Sequence, residues 1–254
     1  MKKITAALAA ATILVPVTAM AAGNLASQPT FLETSIDGAG NVMNGTEFEL
    51  ETGKYYIWTI ESDGILETLI QAPELFRNAW FNQVIINDKE IHSSGSLYGL
   101  EFDGPGTLTV GFVPIRPGVY PFFVEEQGFS GTMTVTGSSM STGATPLDVD
   151  IDGSALTFST TEFELETGKA YNLRITSDGV EELMVQAPAL WRNSWINQIV
   201  IDGIEVKVNG AFYGIEWDDE GTVSISFVPL RPGNYEFFAP GYQERGMVGT
   251  MIVR

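Results

Sequence analysis

Apolar and polar residues alternate in short runs along most of the chain. In residues 47–51 two apolar side chains alternate with glutamates, and residues 107–112 alternate in the same way. Turn signals such as Asp63-Gly64 and Arg116-Pro117-Gly118 separate these runs. An apolar period of two is typical of strands that bury one face, and frequent Gly and Pro turns favour antiparallel sandwiches. The pattern therefore predicts an all-β protein.

Only two segments have the pattern of a helical turn. Residues 73–78 and 188–193 each begin with proline, which the first position of a helix tolerates. We expect one short helix in each, between strands.

The chain contains an internal repeat. The sequence TEFELETGK occurs at Thr46–Lys54 and again, unchanged, at Thr161–Lys169. The same spacing relates RNxWxNQ at residues 77–83 to residues 192–198, and FVPxRPGxYxFF at 112–123 to 227–238. We interpret this as a tandem duplication of one domain. The predicted domains are residues 22–136 and 147–254, joined by a Gly/Ser/Thr-rich flexible linker at 137–146.

The first residues have the features of an export signal. Lys2 and Lys3 precede an apolar run, Ile4–Val15, and Ala19-Met20-Ala21 matches a cleavage site. We therefore predict a cleavable signal peptide at residues 1–21 and a periplasmic protein. The apolar run is too short to span a bilayer, so no membrane span is expected.

Composition excludes several classes of function. The chain has 254 residues, 32 acidic against 13 basic side chains, a formal charge of −19, one His and no Cys. This balance disfavours nucleic-acid binding, and the absence of Cys excludes disulfides, thiolate nucleophiles and Cys-type metal sites. The single imidazole, His92, has Lys207 as its counterpart in the second copy. We therefore expect no enzyme activity, and we expect the acidic charge to favour a basic partner or a cation.

The end of the second copy resembles the last hairpin of the cupredoxins, the blue-copper sandwich proteins. Residues 235–242 read YEFFAPGY and residues 246–249 read GMVG. The family reads Y-x-F-x-C-x-x-H and then G-M-x-G, and its Cys, His and Met bind copper. Residues 197–202, NQIVID, resemble the strand that opens with the family's other copper-binding His. The resemblance implies two tandem Greek-key β-sandwiches of the cupredoxin type.

The copper positions implied by the resemblance are mostly substituted. In the second copy they are Asn197, Ala239, Tyr242 and Met247, of which only Met247 keeps the family's identity; in the first copy they are Asn82, Val124 and Gln127. A type 1 site needs a thiolate and two imidazoles. We therefore expect no cofactor and no type 1 copper, with Met247 as a weak metal candidate. Tyr242 and Asn197 either share a hydrogen bond or are solvated loop residues.

The repeated RNxWxNQ motif supplies the candidate binding residues. Arginine, tryptophan and asparagine side chains are typical anchors for a ligand or a partner loop. The candidates are Arg77, Asn78, Trp80, Arg192, Asn193 and Trp195. In the alternative interpretation, the two tryptophans fill the sandwich cores while the first arginine of each motif pairs with a local carboxylate, Glu101 or Glu216.

Two acidic segments are candidates for divalent cations. Asp148, Asp150 and Asp152 precede Gly153 as in a calcium loop, but the twelfth position is Ser159 where such a loop has Glu. Alternating carboxylates are also typical of a solvated strand face. A second cluster occupies residues 218–220.

The sequence thus favours an exported, non-catalytic binding or interaction protein with a partner in the cell envelope. One alternative is a copper-handling chaperone or store that binds metal weakly through Met247, Tyr242 and nearby carboxylates. Another is a sandwich that binds a small ligand or carbohydrate through Trp80 and Trp195.

Overall fold

Both halves of the chain fold into β-sandwiches. The computed structural model describes residues 23–87, 89–91, 97–208 and 210–254. The first half consists of β1 Thr30–Asp37, β2 Val42–Asn44, β3 Glu47–Glu51, β4 Tyr56–Ser62, β5 Thr68–Gln71, α1 Pro73–Asn78, β6 Ala79–Ile86, β7 Lys89–Ile91, β8 Leu100–Phe102, β9 Gly106–Pro114, β10 Gly118–Val124 and β11 Phe129–Thr136.

The second half repeats this series of elements. It consists of β12 Thr145–Asp152, β13 Thr157–Phe158, β14 Glu162–Leu165, β15 Tyr171–Ser177, β16 Leu183–Val185, α2 Pro188–Arg192, β17 Ser194–Ile201, β18 Ile204–Val206, β19 Ile215–Trp217, β20 Gly221–Pro229, β21 Gly233–Phe238, a 3-10 turn Gln243–Arg245 and β22 Val248–Val253. Each predicted helical segment contains a helix, which confirms that prediction.

The strands of each half form two facing sheets in the same order. In the first sandwich the orders are β2-β1-β4-β9-β6-β7 and β3-β11-β10-β5-β8. In the second they are β13-β12-β15-β20-β17-β18 and β14-β22-β21 followed by β16-β19, with a bridge between Gln186 and Phe238 joining the last two parts. Strands β1 and β4, and β3 and β11, pair in parallel, while most other neighbours are antiparallel. Neighbouring strands are thus often distant in sequence, and the predicted pair of Greek-key sandwiches is confirmed.

Each sandwich encloses its own apolar core. Along β4 and its counterpart β15, alternate side chains are buried, as the apolar period of two requires. The core of the first sandwich includes Trp58 and Phe122, whose rings meet edge to face with centroids 5.1 Å apart. The second core includes Trp191 and Phe227, with centroids 5.4 Å apart in the same geometry.

A third apolar cluster lies between the two sandwiches. Each half contributes four buried residues to it, from the same region of its fold. The members are Tyr55, Trp80, Val113 and Ile115 from the first half, and Ala170, Trp195, Val228 and Leu230 from the second. The two sandwiches are therefore packed against each other through a continuous apolar contact.

The segment between the halves also makes specific contacts. Thr52 donates a hydrogen bond from its hydroxyl to the Ser138 carbonyl at 2.8 Å, and the Met140 amide donates to the Ile115 carbonyl at 3.0 Å. Strand β12 begins at Thr145, inside the range predicted as a linker. The segment predicted as flexible thus lies along the first sandwich.

Two sequence-based predictions concern residues outside the described ranges. These are the signal peptide at residues 1–21 and the single histidine, His92. In the part of the chain that the structure does describe, neither short helix has the length and apolar character needed to cross a bilayer.

Candidate functional site

The RNxWxNQ motif spans a helix end and the strand that follows it. In the first sandwich, α1 begins at Pro73 and runs directly into β6. Alternation along β6 sends Phe81 into the core and Trp80 to the opposite face, against the second sandwich. A β-bulge between Phe81 and Gln83 leaves Asn82 outside the strand register, with its side chain buried.

Arginines from each sandwich bind the bulged asparagine of the other. Arg77 donates from Nη2 to the Asn197 carbonyl at 2.6 Å, and Arg116 donates from Nη2 to Asn197 Oδ1 at 2.7 Å. The second sandwich returns the same two bonds, since Arg192 donates to the Asn82 carbonyl and Arg231 to Asn82 Oδ1. The two halves thus exchange equivalent contacts.

The two tryptophans are held by the same exchange. Trp195 donates from Nε1 to the Arg77 carbonyl, and Trp80 donates to the Arg192 carbonyl, both at 3.2 Å. The guanidinium carbons of Arg77 and Arg116 lie 5.5 and 4.9 Å from the Trp195 ring centroid. The guanidinium carbons of Arg192 and Arg231 lie 5.9 and 5.4 Å from the Trp80 ring centroid. Every guanidinium at the interface is therefore within range of a cation–π interaction.

The interface concentrates positive charge without neutralising it. Burial lowers the pKa of Arg77 and of Arg192, and the neighbouring guanidiniums, Arg116 and Arg231 respectively, lower them further. Among the ion pairs found in the described residues, none contains any of these four arginines. Carbonyl oxygens, amide oxygens and indole rings compensate for part of the lost solvation, whereas Arg77 Nη1, Arg192 Nη1 and Arg231 Nε have no hydrogen-bond partner among the described residues.

This geometry corrects two interpretations of the motif. Arg77 and Arg192 do not pair with Glu101 and Glu216, because both bind backbone carbonyls of the opposite sandwich. Trp80 and Trp195 are buried, but between the sandwiches and not inside their cores.

Two other arginines of the interface were not predicted from the sequence. Arg116 and Arg231 bind across the interface, whereas the sequence left open that each is a turn residue with an exposed guanidinium. Their signal was the second repeated motif, in which the arginine recurs before Pro-Gly.

The remaining candidates of the motif stabilise the helix ends. Asn78 and Asn193 each donate from Nδ2 to a carbonyl four residues earlier, at 2.8 Å. A role of the six candidate residues in binding an external ligand stays a prediction.

Of the positions matched to copper ligands in the second sandwich, three lie together and one lies apart. Backbone hydrogen bonds join Ala239, Tyr242 and Met247, whereas Asn197 lies at the contact with the first sandwich. Ala239 and Met247 are fully buried in the core of the second sandwich, where the Ala239 amide donates to the Met247 carbonyl at 3.0 Å. Tyr242 donates to Glu181 Oε1 at 3.0 Å, and this hydrogen bond raises the pKa of the phenol. The Asn197 amide oxygen accepts from Arg116 instead, so Tyr242 and Asn197 do not share the hydrogen bond that was one of the two alternatives for them.

The first sandwich also lacks donors suited to type 1 copper. Val124 is a buried aliphatic residue opposite Ile70, and Gln127 donates from Nε2 to the Glu67 carbonyl at 2.9 Å. A type 1 site is defined by a thiolate and imidazoles, so the side chains at the corresponding positions of both sandwiches do not fit it.

The predicted calcium-like segment is a strand. Asp148, Asp150 and Asp152 alternate with buried residues along β12, on its solvated face. Asp148 pairs with Arg174 at 2.8 Å, and Asp152 accepts the amide of Ala155 at 2.8 Å. Carboxylates on alternate strand positions do not wrap around one ion, so this segment does not form a calcium loop. In the second acidic cluster, Asp219 accepts the amide of Glu220 at 2.8 Å.

A different set of carboxylates converges at one edge of the first sandwich. Oxygen atoms of Glu67, Glu101 and Asp103 all lie within 4.8 Å of one another, and all three residues are exposed. Glu67 and Glu101 also line an open cleft of about 160 Å³, whose other lining residues are Leu69, Gln71, Tyr98, Val124, Glu125 and Glu126. Within the described residues, this is the group of three carboxylates that is compact enough to share a cation.

Comparisons with known proteins give matches in structure only. No family model and no curated protein sequence matches the chain. A copper nitrite reductase from Nitrosomonas europaea is similar over 89% of this chain and 94% of its own, with 9% identity and a TM-score of 0.34. A blue copper oxidase from the same organism is similar over 88% of this chain and 85% of its own, with 10% identity and a TM-score of 0.35. A multicopper oxidase from Campylobacter jejuni is similar over 91% of this chain and 65% of its own, with 10% identity and a TM-score of 0.33.

These matches correct the expectation that the chain is not an enzyme, because the three solved structures are a reductase and two oxidases. They identify no catalytic residue in this chain. The order and pairing of its own strands describe the fold, which consists of two tandem β-sandwiches.

Proposed function

We propose that the chain is an exported binding protein that docks a basic protein surface of the cell envelope through carboxylates of its first sandwich. The observation that carries this proposal is the separation of charge. Four of the seven arginines lie in the contact between the sandwiches, while the formal charge of the chain is −19. The outer surface is therefore dominated by carboxylates, which attract a basic partner over a distance.

The acidic cleft of the first sandwich gives this attraction a specific location. Glu67, Glu101 and Asp103 supply closely spaced oxygens, and Tyr98 stands beside them with 78% of its surface exposed. The cationic group of a lysine or arginine side chain can contact these carboxylates. The same group, or the methylenes of the side chain, can pack against the phenol ring of Tyr98. In the second sandwich, Pro240 and Gly241 replace Glu125 and Glu126, so the equivalent edge carries less charge.

The alternatives considered from the sequence receive less support from the geometry. Met247 is fully buried, so its thioether offers no open ligand to a copper ion arriving from solvent. Trp80 and Trp195 are each 5% exposed, which leaves no free ring face for a sugar. The spacing of Glu67, Glu101 and Asp103 favours a divalent cation as a second candidate ligand.

The test measures binding of a lysine-rich peptide by titration calorimetry at low ionic strength. The first variant neutralises the cleft: Glu67→Gln, Glu101→Gln and Asp103→Asn. The matched control neutralises the equivalent positions of the second sandwich: Glu182→Gln, Glu216→Gln and Asp218→Asn. We expect the cleft variant to bind about tenfold more weakly and the control to change less than about twofold, with all affinities falling as salt increases.

Equal losses in the two variants would show that overall charge, and not the cleft, attracts the peptide. A competition with Ca²⁺ distinguishes the second candidate. Two results together would identify the three carboxylates as a divalent-cation site. Stoichiometric Ca²⁺ would displace the peptide from the control, and the cleft variant would no longer bind Ca²⁺.

A further inference from the structure

The contact between the sandwiches is made of the same residues on both sides. Each half donates hydrogen bonds from two arginines and one tryptophan, and accepts them on one asparagine and one arginine carbonyl. The repeat relates these residues pairwise, as Arg77 to Arg192, Trp80 to Trp195, Asn82 to Asn197 and Arg116 to Arg231. The contact therefore has the exchange pattern of an isologous interface, in which identical surfaces of two molecules face each other.

We propose that this surface of each sandwich binds the same surface on a second copy of the chain. The donors and acceptors needed for a pair of two first sandwiches are all present on one first sandwich. Arg77 and Arg116 of one copy would meet Trp80 and Asn82 of the other, in both directions. The second sandwich carries a complete set in the same way.

The largest difference between the two halves of the contact does not interrupt this exchange. Tyr55 is replaced by Ala170 in the second half. The Tyr55 hydroxyl accepts from Asn82 Nδ2 at 3.0 Å, so its polar contact lies within its own sandwich. Asn82 Oδ1 stays available to an arginine from another sandwich, as its bond with Arg231 shows.

Covalent linkage explains why the two halves of one chain pair with each other. A short linker holds them at an effective concentration in the millimolar range, above any concentration of a second chain. Disabling the surface of one sandwich removes this internal partner. The intact surface of the other sandwich is then available to a second chain.

The experiment uses full chains with one surface disabled, studied by size-exclusion chromatography with light scattering. Substitutions are placed on the contact surface, outside the sandwich cores. The second-surface variant combines Arg192→Ala, Trp195→Ala and Asn197→Lys. The mirror variant combines Arg77→Ala, Trp80→Ala and Asn82→Lys, and a control chain carries all six changes.

We expect each three-substitution variant to form a dimer of twice the chain mass as its concentration rises, and the control to stay monomeric. Near-UV circular dichroism verifies that both cores are folded. A folded three-substitution variant that stays monomeric at several hundred micromolar overturns the proposal for its intact surface. A dimer of the six-substitution control overturns it as well, because association would then use another surface.

Discussion

At the scale of single residues, the two halves differ most clearly where one glycine faces one tyrosine. The Tyr55 hydroxyl lies so close to Gly111 that any side chain there would overlap it. The equivalent residues of the second sandwich are Ala170 and Ser226, which line a small open cavity of about 40 Å³ beside Asn197. In the first sandwich the large Tyr55 thus faces a glycine, and in the second the small Ala170 faces a serine.

This pairing predicts strong coupling between positions 55 and 111. Gly111→Ser should destabilise the protein by about 1–3 kcal/mol through overlap with the phenol. In a Tyr55→Ala background the same change should cost less than half as much, because the cavity accepts the hydroxyl. Urea unfolding of the four proteins of the double-mutant cycle measures this coupling.

Gly104→Ser is the matched control, since nothing lies within 4 Å of a Cβ at that position. Additive free-energy changes at positions 55 and 111 would contradict the prediction.

Comparing the sequences of the two copies shows which residues differ, but not which of the differing residues contact each other. Positions 55 and 111 are far apart in the chain, and only strand pairing between β4 and β9 brings their neighbourhoods together. The lack of a donor atom at Ala239, a position matched to a copper ligand by resemblance, was visible in the sequence. The hydrogen bond of Tyr242 to Glu181 was not, because its partner lies 61 residues away.

At the scale of elements, a tyrosine fixes each Arg-Pro-Gly turn. Tyr120 donates its hydroxyl to the Arg116 carbonyl at 3.0 Å, and Tyr235 donates to the Arg231 carbonyl at 3.1 Å. Burial raises the pKa of both phenols, although the nearby arginine partly opposes this. The bonded turns present the guanidiniums to the opposite sandwich.

The raised pKa of the two phenols predicts a loss of stability at high pH. Because the folded state holds these protons more tightly than the unfolded state, their contribution is complete below the unfolded tyrosine pKa of about 10. It decreases as the pH rises from there through the folded pKa. Replacing Tyr120 and Tyr235 by Phe should cost about 1 kcal/mol each at pH 7 and flatten the decrease above pH 10.

Urea unfolding between pH 7 and pH 11 measures this dependence. Tyr98→Phe is the control, because that side chain is largely exposed. If the double variant loses stability as steeply as the parent protein above pH 10, the two turns do not cause the alkaline sensitivity.

Element types followed from the sequence more readily than their irregularities. The period of two predicted strands such as β3 and β9, and the initial prolines predicted α1 and α2. The bulges at Asn82 and Asn197 were not predicted, because one unpaired residue leaves the apolar pattern of a strand almost unchanged.

At the scale of the whole molecule, the contact between the sandwiches joins two complete cores. The repeat predicted that the halves are alike, but it contained no information on whether they touch. The decisive hydrogen bonds connect residues 81 and 149 positions apart, as between Arg116 and Asn197 and between Arg231 and Asn82. Contacts at such separations depend on the finished surfaces of both sandwiches.

We expect this contact to make the two sandwiches unfold together. Scanning calorimetry of the parent protein should show one transition whose van't Hoff and calorimetric enthalpies agree. Replacing Trp80 and Trp195 by Ala removes the two largest side chains of the contact, so the transition should broaden or divide into two.

Val119→Ala provides the control, since that valine is exposed on β10. Two resolved transitions in the parent protein would show that the sandwiches unfold independently despite their contact.

The exchange of equivalent contacts within one chain also affects how the contact can change by mutation. In a symmetric dimer of identical subunits, one codon change alters both sides of the interface at once. In a tandem chain the same change alters one side, and the other side keeps its original form. The tyrosine at position 55 and the alanine at position 170 illustrate this freedom. A gene with two joined copies can therefore vary one half of a two-fold contact while the other half preserves the pairing.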